Sequence, residues 1–463
     1  MSYEFMAPLM FFGLVVFLLL GYPVAFALAA NGLLFAFIGS QMGFMGFEQL
    51  QALPERVFGI MSNATLLAIP FFTFMGLILE RSGMAEDLLD SLGQLFGPLR
   101  GGLAYAVVLV GALLAATTGV VAASVIAMGL ISLPIMLRYG YDKRLASGVI
   151  AASGTLAQII PPSLVLIVLA DQLGVSVGAM YQGALVPALM LMGFYLLFVL
   201  MVSLVRPDFA PALPLEARSL QGARLWGKAL AAILPPLVLI FLVLGTIFLG
   251  IATPTEGGAM GAAGALLLAL SRKRLSLDLL KQALDSTTRL TSFVIFILIG
   301  STVFSLVFQL LDGDSWVEGL LTALPGGELG FLILVNLLVF GLAFFLDFFE
   351  IAFIIVPLLV PVAMALGIDL VWFGVILGIN MQTSFMHPPF GFSLFYLRSV
   401  APREVRTTDI YWGAVPFLLI QILMVVVVLS FPGLVMHDKP QAQAAPVEFK
   451  LDLPDPGYLP PAE

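Results

Sequence analysis

The sequence predicts an all-α polytopic membrane protein with two inverted structural repeats, each containing a re-entrant helical hairpin and a broken transmembrane helix. Composition gives the first reason, because the chain is 61% hydrophobic and only 10% charged, far outside the range of soluble domains. Apolar runs recur over residues 5–436, and runs of about 18 residues or more can cross a bilayer as helices. The third reason is an internal repeat whose two copies are both interrupted by a proline pair.

The repeat is a set of turn-forming residues that recur at one offset (388 − 161 = 227). Pro134, Gly140, Asp142 and Pro161-Pro162 recur as Pro361, Gly367, Asp369 and Pro388-Pro389. We therefore divide the chain into a first repeat at 1–205, a cytoplasmic loop at 206–228, a second repeat at 229–436 and a disordered tail at 437–463 that is rich in Pro, Ala and Gln. Matching helix breaks in a duplicated membrane unit are typical of secondary transporters.

Each element follows from an apolar segment and its flanks. The segments lie at about 5–40, 57–80, 103–137, 144–172, 178–205, 229–270, 290–311, 328–363, 369–398 and 408–436. Whether 5–40 crosses once, bent at Pro23, or crosses twice stays open. Two amphipathic stretches, 85–99 and 272–289, suit either the membrane surface or a partner subunit.

Basic residues orient the chain and turn two of these segments into hairpins. The loops rich in Arg and Lys can all face the cytoplasm, which puts Arg100 and Arg138, at the two ends of 103–137, on the same side. One helix of that length would span about 52 Å against a hydrocarbon core of about 30 Å, so we expect a hairpin that turns near 116–119. Segment 328–363 has acidic flanks on the outside, and we expect its turn near 346–350.

The helices that follow the hairpins, at about 144–172 and 369–398, are predicted to break at the proline pairs. Unpaired backbone groups cost several kcal/mol each in lipid, so each break must line a cavity or bind a ligand. Freed carbonyl groups with Ser, Thr and Asn oxygens suit Na⁺, and half-helix N-termini offer N–H groups to a carboxylate. The alternative is a pair of ordinary proline kinks buried in protein.

Three titratable residues lie in apolar stretches of the second repeat. Asp347 and Glu350 share one face if their region is helical. They act either as a cation ligand or proton carrier, or they mark a hairpin tip that simply reaches water. His387 can titrate near neutral pH, but beside a proline pair we favour a hydrogen-bond partner for the break. Outside these stretches, Glu256 is predicted to cap the start of a helix.

Several function classes are disfavoured. The chain has no Cys, which excludes disulfides, thiolate metal sites and thiol catalysis. Its few charges argue against a nucleic-acid partner. The segment 222–229 nearly matches a phosphate-binding P-loop but lacks the Ser or Thr that would hold Mg²⁺. Since no nucleophile elbow or metal-binding helix occurs either, we expect no enzyme activity and no cofactor.

Four motifs carry a resemblance that covers about residues 5–436. They are Leu66-Leu67-Ala68-Ile69-Pro70-Phe71-Phe72, Ile159-Ile160-Pro161-Pro162-Ser163, Gly250-Ile251-Ala252-Thr253-Pro254-Thr255-Glu256 and Pro388-Pro389-x-Gly391. Together they resemble the large membrane subunit of tripartite ATP-independent periplasmic (TRAP) transporters of the dicarboxylate type. The resemblance implies an elevator-type transporter in the bacterial inner membrane that imports an organic acid with a Na⁺ gradient. It also implies two partners, a small four-helix membrane subunit and a periplasmic substrate-binding protein.

Carried over by position, the resemblance implies two sodium-binding groups. In the first group, the hairpin tip Thr117, Thr118 and Gly119 faces the break at Ser153, Gly154 and Thr155. In the second group, the tip around Asp347 faces Asn380, Gln382, Thr383 and Ser384. The expected substrate-binding residues are Thr155, Gln158, Pro161, Pro162, Ser163, Glu350, His387, Pro388 and Pro389.

The chain departs from the family pattern in two places. Members often have small residues at the second tip, where this chain has Leu346-Asp347-Phe348-Phe349-Glu350. Many members read Thr-Pro-Pro where this chain has His387-Pro388-Pro389. These departures resemble the branch associated with 2-oxo acids, lactate and related monocarboxylates. The alternatives are a receptor-independent carboxylate symporter, a passive channel and a membrane-embedded hydrolase, which lacks a nucleophile.

Overall fold

The computed structural model describes residues 3–218, 222–322, 325–344 and 346–436, so the predicted disordered tail at 437–463 lies outside the described residues. These residues form helices joined by short loops, and no strand occurs among them. Within the described ranges, seven helices are long and apolar enough to cross a membrane, or eight if the bent pair Gly313–Thr322 and Gly327–Leu342 forms one span. The predicted all-α membrane fold is therefore confirmed.

The helices of the first half are α1 (Met6–Leu19), α2 (Val24–Gln41), α3 (Leu53–Met61), α4 (Ala68–Arg81), α5 (Met84–Phe96), α6 (Gly102–Thr118), α7 (Val121–Arg138), α8 (Lys143–Thr155), α9 (Leu164–Leu173) and α10 (Val177–Val205). Those of the second half are α11 (Gly222–Phe248), α12 (Pro254–Ser271), α13 (Leu277–Leu310), α14 (Gly313–Thr322), α15 (Gly327–Leu342), α16 (Phe348–Glu350), α17 (Val356–Ala365), α18 (Leu370–Thr383), α19 (Phe392–Val400) and α20 (Thr407–Ser430). A π-helical turn at Ile351–Ile355 joins α16 to α17, so Phe348–Ala365 forms one continuous arm.

Both predicted hairpin segments are interrupted close to their expected turns. α6 ends at Thr118 and α7 begins at Val121, and the turn between them contains Gly119 at φ +59°. Glycine suits this left-handed conformation because it has no Cβ. In the second hairpin, α15 ends at Leu342 and the next arm begins at Phe348. The first segment therefore folds back on itself, with α6 packed on α7, and the second is interrupted between Leu342 and Phe348 instead of forming one long helix.

The first halves of the two broken helices, α8 and α18, begin with equivalent capping residues and end at nearly equivalent positions of the two repeats. Asp142 accepts hydrogen bonds from the backbone N–H groups that start α8, and Asp369 does the same for α18. α8 ends at Thr155 and α9 begins at Leu164, after the first proline pair. α18 and α19 are likewise interrupted at the second proline pair, since proline lacks the N–H that a continuous helix needs.

The broken helices enter from opposite ends of the molecule, as their contacts with the two ends of α20 show. Arg144, at the start of α8, lies 3.8 Å from Asp409 near the beginning of α20. Trp372, at the start of α18, donates a hydrogen bond of 2.9 Å to the carbonyl oxygen of Val428 near the other end of α20. Nineteen residues of helix separate these two contacts, which is about 28 Å. This antiparallel arrangement is what an inverted repeat requires.

The helices pack in two groups, each drawn from both halves of the chain. In the scaffold group, α2 packs on α13 and α4 packs on α12. A Cβ added at Gly300 of α13 would lie 2.3 Å from the carbonyl oxygen of Ala25. In the hairpin group, which contains α6–α10 and α15–α20, a Cβ added at Gly148 would lie 2.1 Å from the carbonyl oxygen of Gly413. Small residues allow such close backbone contact between membrane helices.

Several segment boundaries differ from the sequence prediction. The segment 5–40 forms two helices, separated at residues 20–23, and 57–80 is divided between α3 and α4. The segment 229–270 forms α11 and α12, and α11 begins at Gly222, inside the range predicted as loop. The amphipathic stretch 272–289 is largely the first part of the 34-residue α13 and not a separate surface helix.

Basic residues from loops predicted to face the cytoplasm pair with carboxylates of α5 at one end of the molecule. Arg272 and Arg274 lie 3.3 Å and 2.9 Å from the carboxylate of Asp87, and Lys228 lies 2.5 Å from that of Asp90. These pairs hold the polar face of α5 against the loops around α11 and α12, while Leu88 and Leu92 of α5 are buried. The apolar face of 85–99 is therefore covered by this chain.

Glu256 caps a helix, as the sequence predicted. Its carboxylate accepts a hydrogen bond of 2.8 Å from the backbone N–H of Thr253 at the start of α12. The Thr253 hydroxyl accepts in turn from the Glu256 N–H, which is a capping box.

Candidate functional site

A cavity of about 280 Å³ lies where both hairpin turns meet both helix breaks. Its walls are Gly119, Val120, Val121 and Ala122 from the first hairpin, Asp347, Phe348 and Phe349 from the second, Gln158, Leu164 and Val165 from the first break, and Phe385, Phe392 and Tyr396 from the second. Leu290 and Phe293 of α13 complete the lining from the scaffold group. The four elements that the sequence selected thus surround one space.

Four helices begin at this cavity. Val121 is the first residue of α7, Leu164 of α9, Phe348 of the arm 348–365 and Phe392 of α19, and all four line the cavity. The first N–H groups of a helix have no acceptor within it, and each helix N-terminus carries roughly half a positive charge. These partial charges favour an anion, although the Asp347 carboxylate caps one of the four helices and no Lys or Arg is among the lining residues in the described part of the chain.

Gln158 is the buried polar side chain in this lining. The chain leaves α8 through a 3₁₀ turn at Leu156–Gln158, which places this residue just before the proline pair. The side chain is 1% exposed, and neither its amide oxygen nor its amide nitrogen has a hydrogen-bond partner among the described residues. A buried amide without partners is costly, so its place in the cavity wall points to a ligand that completes its hydrogen bonds.

Asp347 and Glu350 form a helix cap and do not share a helix face. The Asp347 carboxylate accepts from the Glu350 N–H at 2.9 Å, and the Glu350 carboxylate accepts from the Asp347 N–H at 3.0 Å. Asp347 is the N-cap residue, with extended backbone, so the helical spacing considered in the sequence analysis does not apply. Asp347 lines the cavity, whereas Glu350 does not.

The first predicted sodium-binding group is only partly brought together. A Cβ added at Gly111 would lie 2.5 Å from the Cβ of Ser153, and one added at Gly154 would lie 2.3 Å from Val125, so both hairpin arms pack against α8. The tip of the hairpin lies beyond the end of α8, because a Cβ added at Gly119 would lie 3.3 Å from Leu164 and 3.7 Å from the Pro162 carbonyl oxygen.

The tip of the first hairpin thus faces the start of α9 and not the Ser153–Thr155 turn, contrary to the expectation from the resemblance. The hydroxyls of Thr117 and Ser153 donate to the carbonyl oxygens of Leu114 and Val149 in their own helices. Thr118 is the last residue of α6.

Thr155 and Gln382 occupy equivalent positions in the two repeats and contact each other. The Gln382 amide donates a hydrogen bond of 3.0 Å to the Thr155 hydroxyl across 227 residues of sequence. Gln421 of α20 donates to the same hydroxyl at 3.2 Å and to the hydroxyl of Tyr195 at 2.9 Å. The amide oxygens of Gln382 and Gln421 are buried without a partner among the described residues.

Equivalent residues can touch only near the axis that relates two repeats, so this network marks the centre of the hairpin group. Sequence reasoning did not find Gln421 or Tyr195. A lone Gln in the apolar run 407–430 was the available signal, because polar residues inside membrane segments have functional roles by default.

The second predicted sodium-binding group is centred on Asn380. Its amide donates to the backbone and side-chain oxygens of Asn336 in α15, at 2.8 Å and 3.0 Å. The hydroxyls of Thr383 and Ser384 donate to the carbonyl oxygens of Asn380 and Met381 within their own turn. Asn380 therefore faces an arm of the second hairpin.

His387 does not serve the break as a hydrogen-bond partner, so that interpretation is wrong. Neither ring nitrogen has a partner among the described residues. The ring instead stacks on Phe344, with centroids 4.2 Å apart, and meets the edge of Phe340 at 4.3 Å. It is fully buried behind the second hairpin and does not line the cavity.

The remaining predicted substrate residues lie around the cavity and not in its wall. Ser163 caps α9, and its hydroxyl donates to the Gln158 carbonyl oxygen at 2.5 Å, so it holds the first break in shape. Pro161 and Pro162 are buried and Pro389 is exposed, while Pro388 is intermediate.

Comparison with known proteins identifies the family. Residues 11–434 match the family model described as "Tripartite ATP-independent periplasmic transporter, DctM component". The chain belongs to this TRAP transporter family. A C4-dicarboxylate TRAP transporter large permease protein of Rhodobacter capsulatus is 31% identical over 93% of this chain and 98% of that protein. The corresponding protein of Pseudomonas aeruginosa is 31% identical over 83% of this chain and 88% of that protein.

Relatives with other named substrates also occur in the TRAP family. The sialic acid TRAP transporter large permease protein of Vibrio cholerae is 28% identical over 91% of this chain and 95% of that protein. Among solved structures, the YdaH transporter of Alcanivorax borkumensis has a TM-score of 0.59 at 15% identity, covering 84% of this chain and 90% of that one. This likeness concerns the fold.

Membership in the family settles the broad class of the chain. It is the large permease subunit of a TRAP transporter, and it is a transporter subunit and not an enzyme. Its apolar helices place it in the bacterial inner membrane as a multi-pass protein.

Proposed function

We propose that this TRAP subunit imports a small carboxylate together with Na⁺, in concert with a small membrane subunit and a periplasmic substrate-binding protein. The observation that carries the proposal is the convergence of four helix N-termini and the unpaired Gln158 amide on one cavity. Free N–H groups and aligned dipoles are the features with which broken helices bind carboxylates in transporters.

The cavity limits the substrate to a short acid. Its volume of about 280 Å³ lies just below the usual range of about 300–1,000 Å³ for small-molecule sites. Aromatic side chains of Phe293, Phe348, Phe385 and Phe392 form much of the wall. A carboxylate would lie at the helix N-termini, and an apolar remainder would contact these rings. A 2-oxo or 2-hydroxy monocarboxylate meets both conditions.

Asp347 explains why the carboxylate would need a cation. A carboxylate about 4 Å from another is repelled by about 4 kcal/mol at an effective dielectric constant of about 20. Since Asp347 lines the cavity that would hold the substrate, a bound cation is needed to cancel this repulsion. Na⁺ binding would therefore favour substrate binding, and substrate binding would favour Na⁺ binding. This mutual dependence is the energetic coupling that a symporter uses.

The oxygen atoms near the repeat axis fit Na⁺ by their chemistry. The buried amide oxygens of Gln382 and Gln421 have no partner among the described residues. The hydroxyls of Ser153 and Thr155 lie in the last turn of α8, and that of Thr383 lies in the last turn of α18. Unwound carbonyls and neutral oxygen donors are the ligands that Na⁺ finds in broken-helix transporters. These residues would hold the coupling ion.

The two packing groups suit an elevator movement. Leu290 and Phe293 are the contributions of the scaffold group to the cavity wall. Polar links between the groups include the hydrogen bond of 2.6 Å from Asn63 to Asp171. Sliding the hairpin group along α13 would carry the cavity away from these two side chains and open it to the other side.

Transport in proteoliposomes tests the proposal. The chain is reconstituted with its small subunit, the receptor is supplied outside, and accumulation of a labelled 2-oxo acid is measured with an inward Na⁺ gradient or with K⁺ in its place. We expect accumulation above the external concentration only with Na⁺ and receptor. Equal rates in Na⁺ and K⁺ would refute the coupling. Accumulation without the receptor would favour a receptor-independent symporter, and equilibration without accumulation would favour a channel.

A further inference from the structure

A second, larger cavity is a groove on the outside of the hairpin group. Its volume is about 850 Å³ and its walls are mostly apolar. Helix α10 contributes Gly193, Leu196, Leu197, Leu200, Ser203 and Leu204, and the opposite wall consists of Phe96, Pro98, Leu99, Arg100, Tyr105 and Leu109. The groove therefore lies between α10 on one side and the α5–α6 connection on the other.

The depth of the groove matches one leaflet of a bilayer. Its lining residues on α10 run from Gly193 to Leu204, which is about 17 Å of helix. One leaflet contributes about 15 Å of the hydrocarbon core. A groove of this length with mostly apolar walls can hold the acyl chains of a lipid along α10.

The mouth of the groove is basic. Arg100 lines it and is exposed, and a Cβ added at the adjacent Gly101 would lie 3.3 Å from Ser203. Arg206 follows one turn after Ser203, is also exposed, and stacks over the ring of Phe209 at 5.2 Å. Asp208 is the acidic residue in this stretch.

The segment that carries Arg206 is fixed in place. Gly101 donates a backbone hydrogen bond to the Ala210 carbonyl oxygen at 2.9 Å, and Asp142 donates to that of Phe209 at 3.0 Å. Both ends of the first hairpin therefore hold residues 206–210 at the cytoplasmic end. The two arginines lie within about one helical turn of the same junction.

We propose that this groove binds one anionic phospholipid of the cytoplasmic leaflet. Its phosphate would lie between Arg100 and Arg206, and its acyl chains would lie along α10 towards Gly193. Tyr105 and Ser203, whose hydroxyls are 3.4 Å apart, would lie at the level of the glycerol backbone, where amphipathic side chains are enriched. Because Tyr105 and Leu109 belong to α6, the lipid would contact an arm of the first hairpin directly.

Lipid retention by the purified full chain tests the headgroup. The detergent-solubilised protein is titrated with phosphatidylglycerol or phosphatidylcholine, and bound lipid is counted by native mass spectrometry. We expect one tightly held phosphatidylglycerol. Replacing both arginines (Arg100→Gln with Arg206→Gln) should lower the preference for this lipid about tenfold to thirtyfold, since each basic residue near an anionic surface contributes a several-fold effect. The matched control, Arg224→Gln with Arg403→Gln, removes the same charge from two other exposed sites and should leave the preference unchanged.

A second pair of variants tests the acyl site. A Cβ added at Gly193 would meet nothing within 4 Å, so Gly193→Phe should fold normally, fill the groove and abolish lipid retention. Gly245→Phe, at an equally open glycine in α11, should retain the lipid. Equal binding of the two lipids by the unchanged chain, or unchanged retention in Gly193→Phe, would overturn the proposal. A cross-link from a cysteine placed at Leu200 to the small subunit would assign the groove to that partner and would also overturn it.

Discussion

Replacing Gln158 by Met should strengthen the fold and weaken transport at the same time. The amide is 1% exposed and unpaired among the described residues, and a buried polar group without a partner costs about 1–3 kcal/mol. Met has a similar shape and no such group, so Gln158→Met should stabilise the substrate-free protein by up to about that amount. A hydrogen bond to a charged group contributes about 1.5–3 kcal/mol, so losing it should raise KM about 10- to 150-fold.

Opposite signs of the two effects separate a binding role from a structural one. Thermal unfolding of the substrate-free protein in detergent, followed by tryptophan fluorescence, gives the first quantity, and the concentration dependence of uptake in proteoliposomes gives the second. Gln182→Met, at an exposed Gln on α10, is the matched control and should change neither. A lower melting temperature with an unchanged KM would show that Gln158 supports the break and does not touch the substrate.

Three further predictions follow from other contacts. Asp347→Asn keeps a good N-cap residue but removes the carboxylate charge, so the protein should fold while uptake loses its dependence on Na⁺. An unchanged Na⁺ dependence of uptake would contradict the coupling argument. Gln421→Leu removes the amide that donates to the buried Tyr195 hydroxyl at 2.9 Å and should lower the free energy of unfolding by about 1–3 kcal/mol. Adding Tyr195→Phe should recover part of this lost stability. Strictly additive changes in the melting temperatures of the single and double variants would argue against the network. Gly148→Val would place a Cβ 2.1 Å from the Gly413 carbonyl oxygen and should destabilise the folded protein by about 1–3 kcal/mol or more. Gly227→Val, at a position with nothing within 4 Å, should leave the stability unchanged. Equal melting temperatures of the two variants would show that α8 and α20 can separate freely.

The parts of the fold that were predictable depend on local chemistry. Proline pairs interrupt helices, Gly119 allows a tight turn, and Asp142 and Asp369 cap the helices that follow them. Each of these effects acts within a few residues, so the sequence placed the hairpins and breaks within a few residues of their positions in the structure.

The contacts that build the site were not predictable, because they join distant helices. Asn336 meets Asn380 across 44 residues, and Gln421 meets Thr155 across 266. In a membrane helix the sides facing lipid and protein are both apolar, so hydrophobic periodicity does not reveal which side faces inward. The sequence also drew attention to the hydroxyls of Ser153, Thr383 and Ser384, which donate to carbonyl oxygens of their own helices. The first residues of the next helices line the cavity instead.

Two antiparallel repeats would allow the proposed anion site to form in a membrane without a basic residue among its described lining residues. In each repeat, the second arm of the hairpin and the second half of the broken helix both begin at the centre of the hairpin group and run outward. Each repeat therefore brings two helix N-termini to the centre, and the second repeat, entering from the opposite end, adds two more from the other side. A buried Arg or Lys would carry a full charge that is costly to desolvate in an empty cavity, whereas four partial charges of about one half each are already part of the folded backbone. The duplication thus supplies the positive potential, and under the proposed Na⁺ coupling Asp347 would make anion binding depend on a cation.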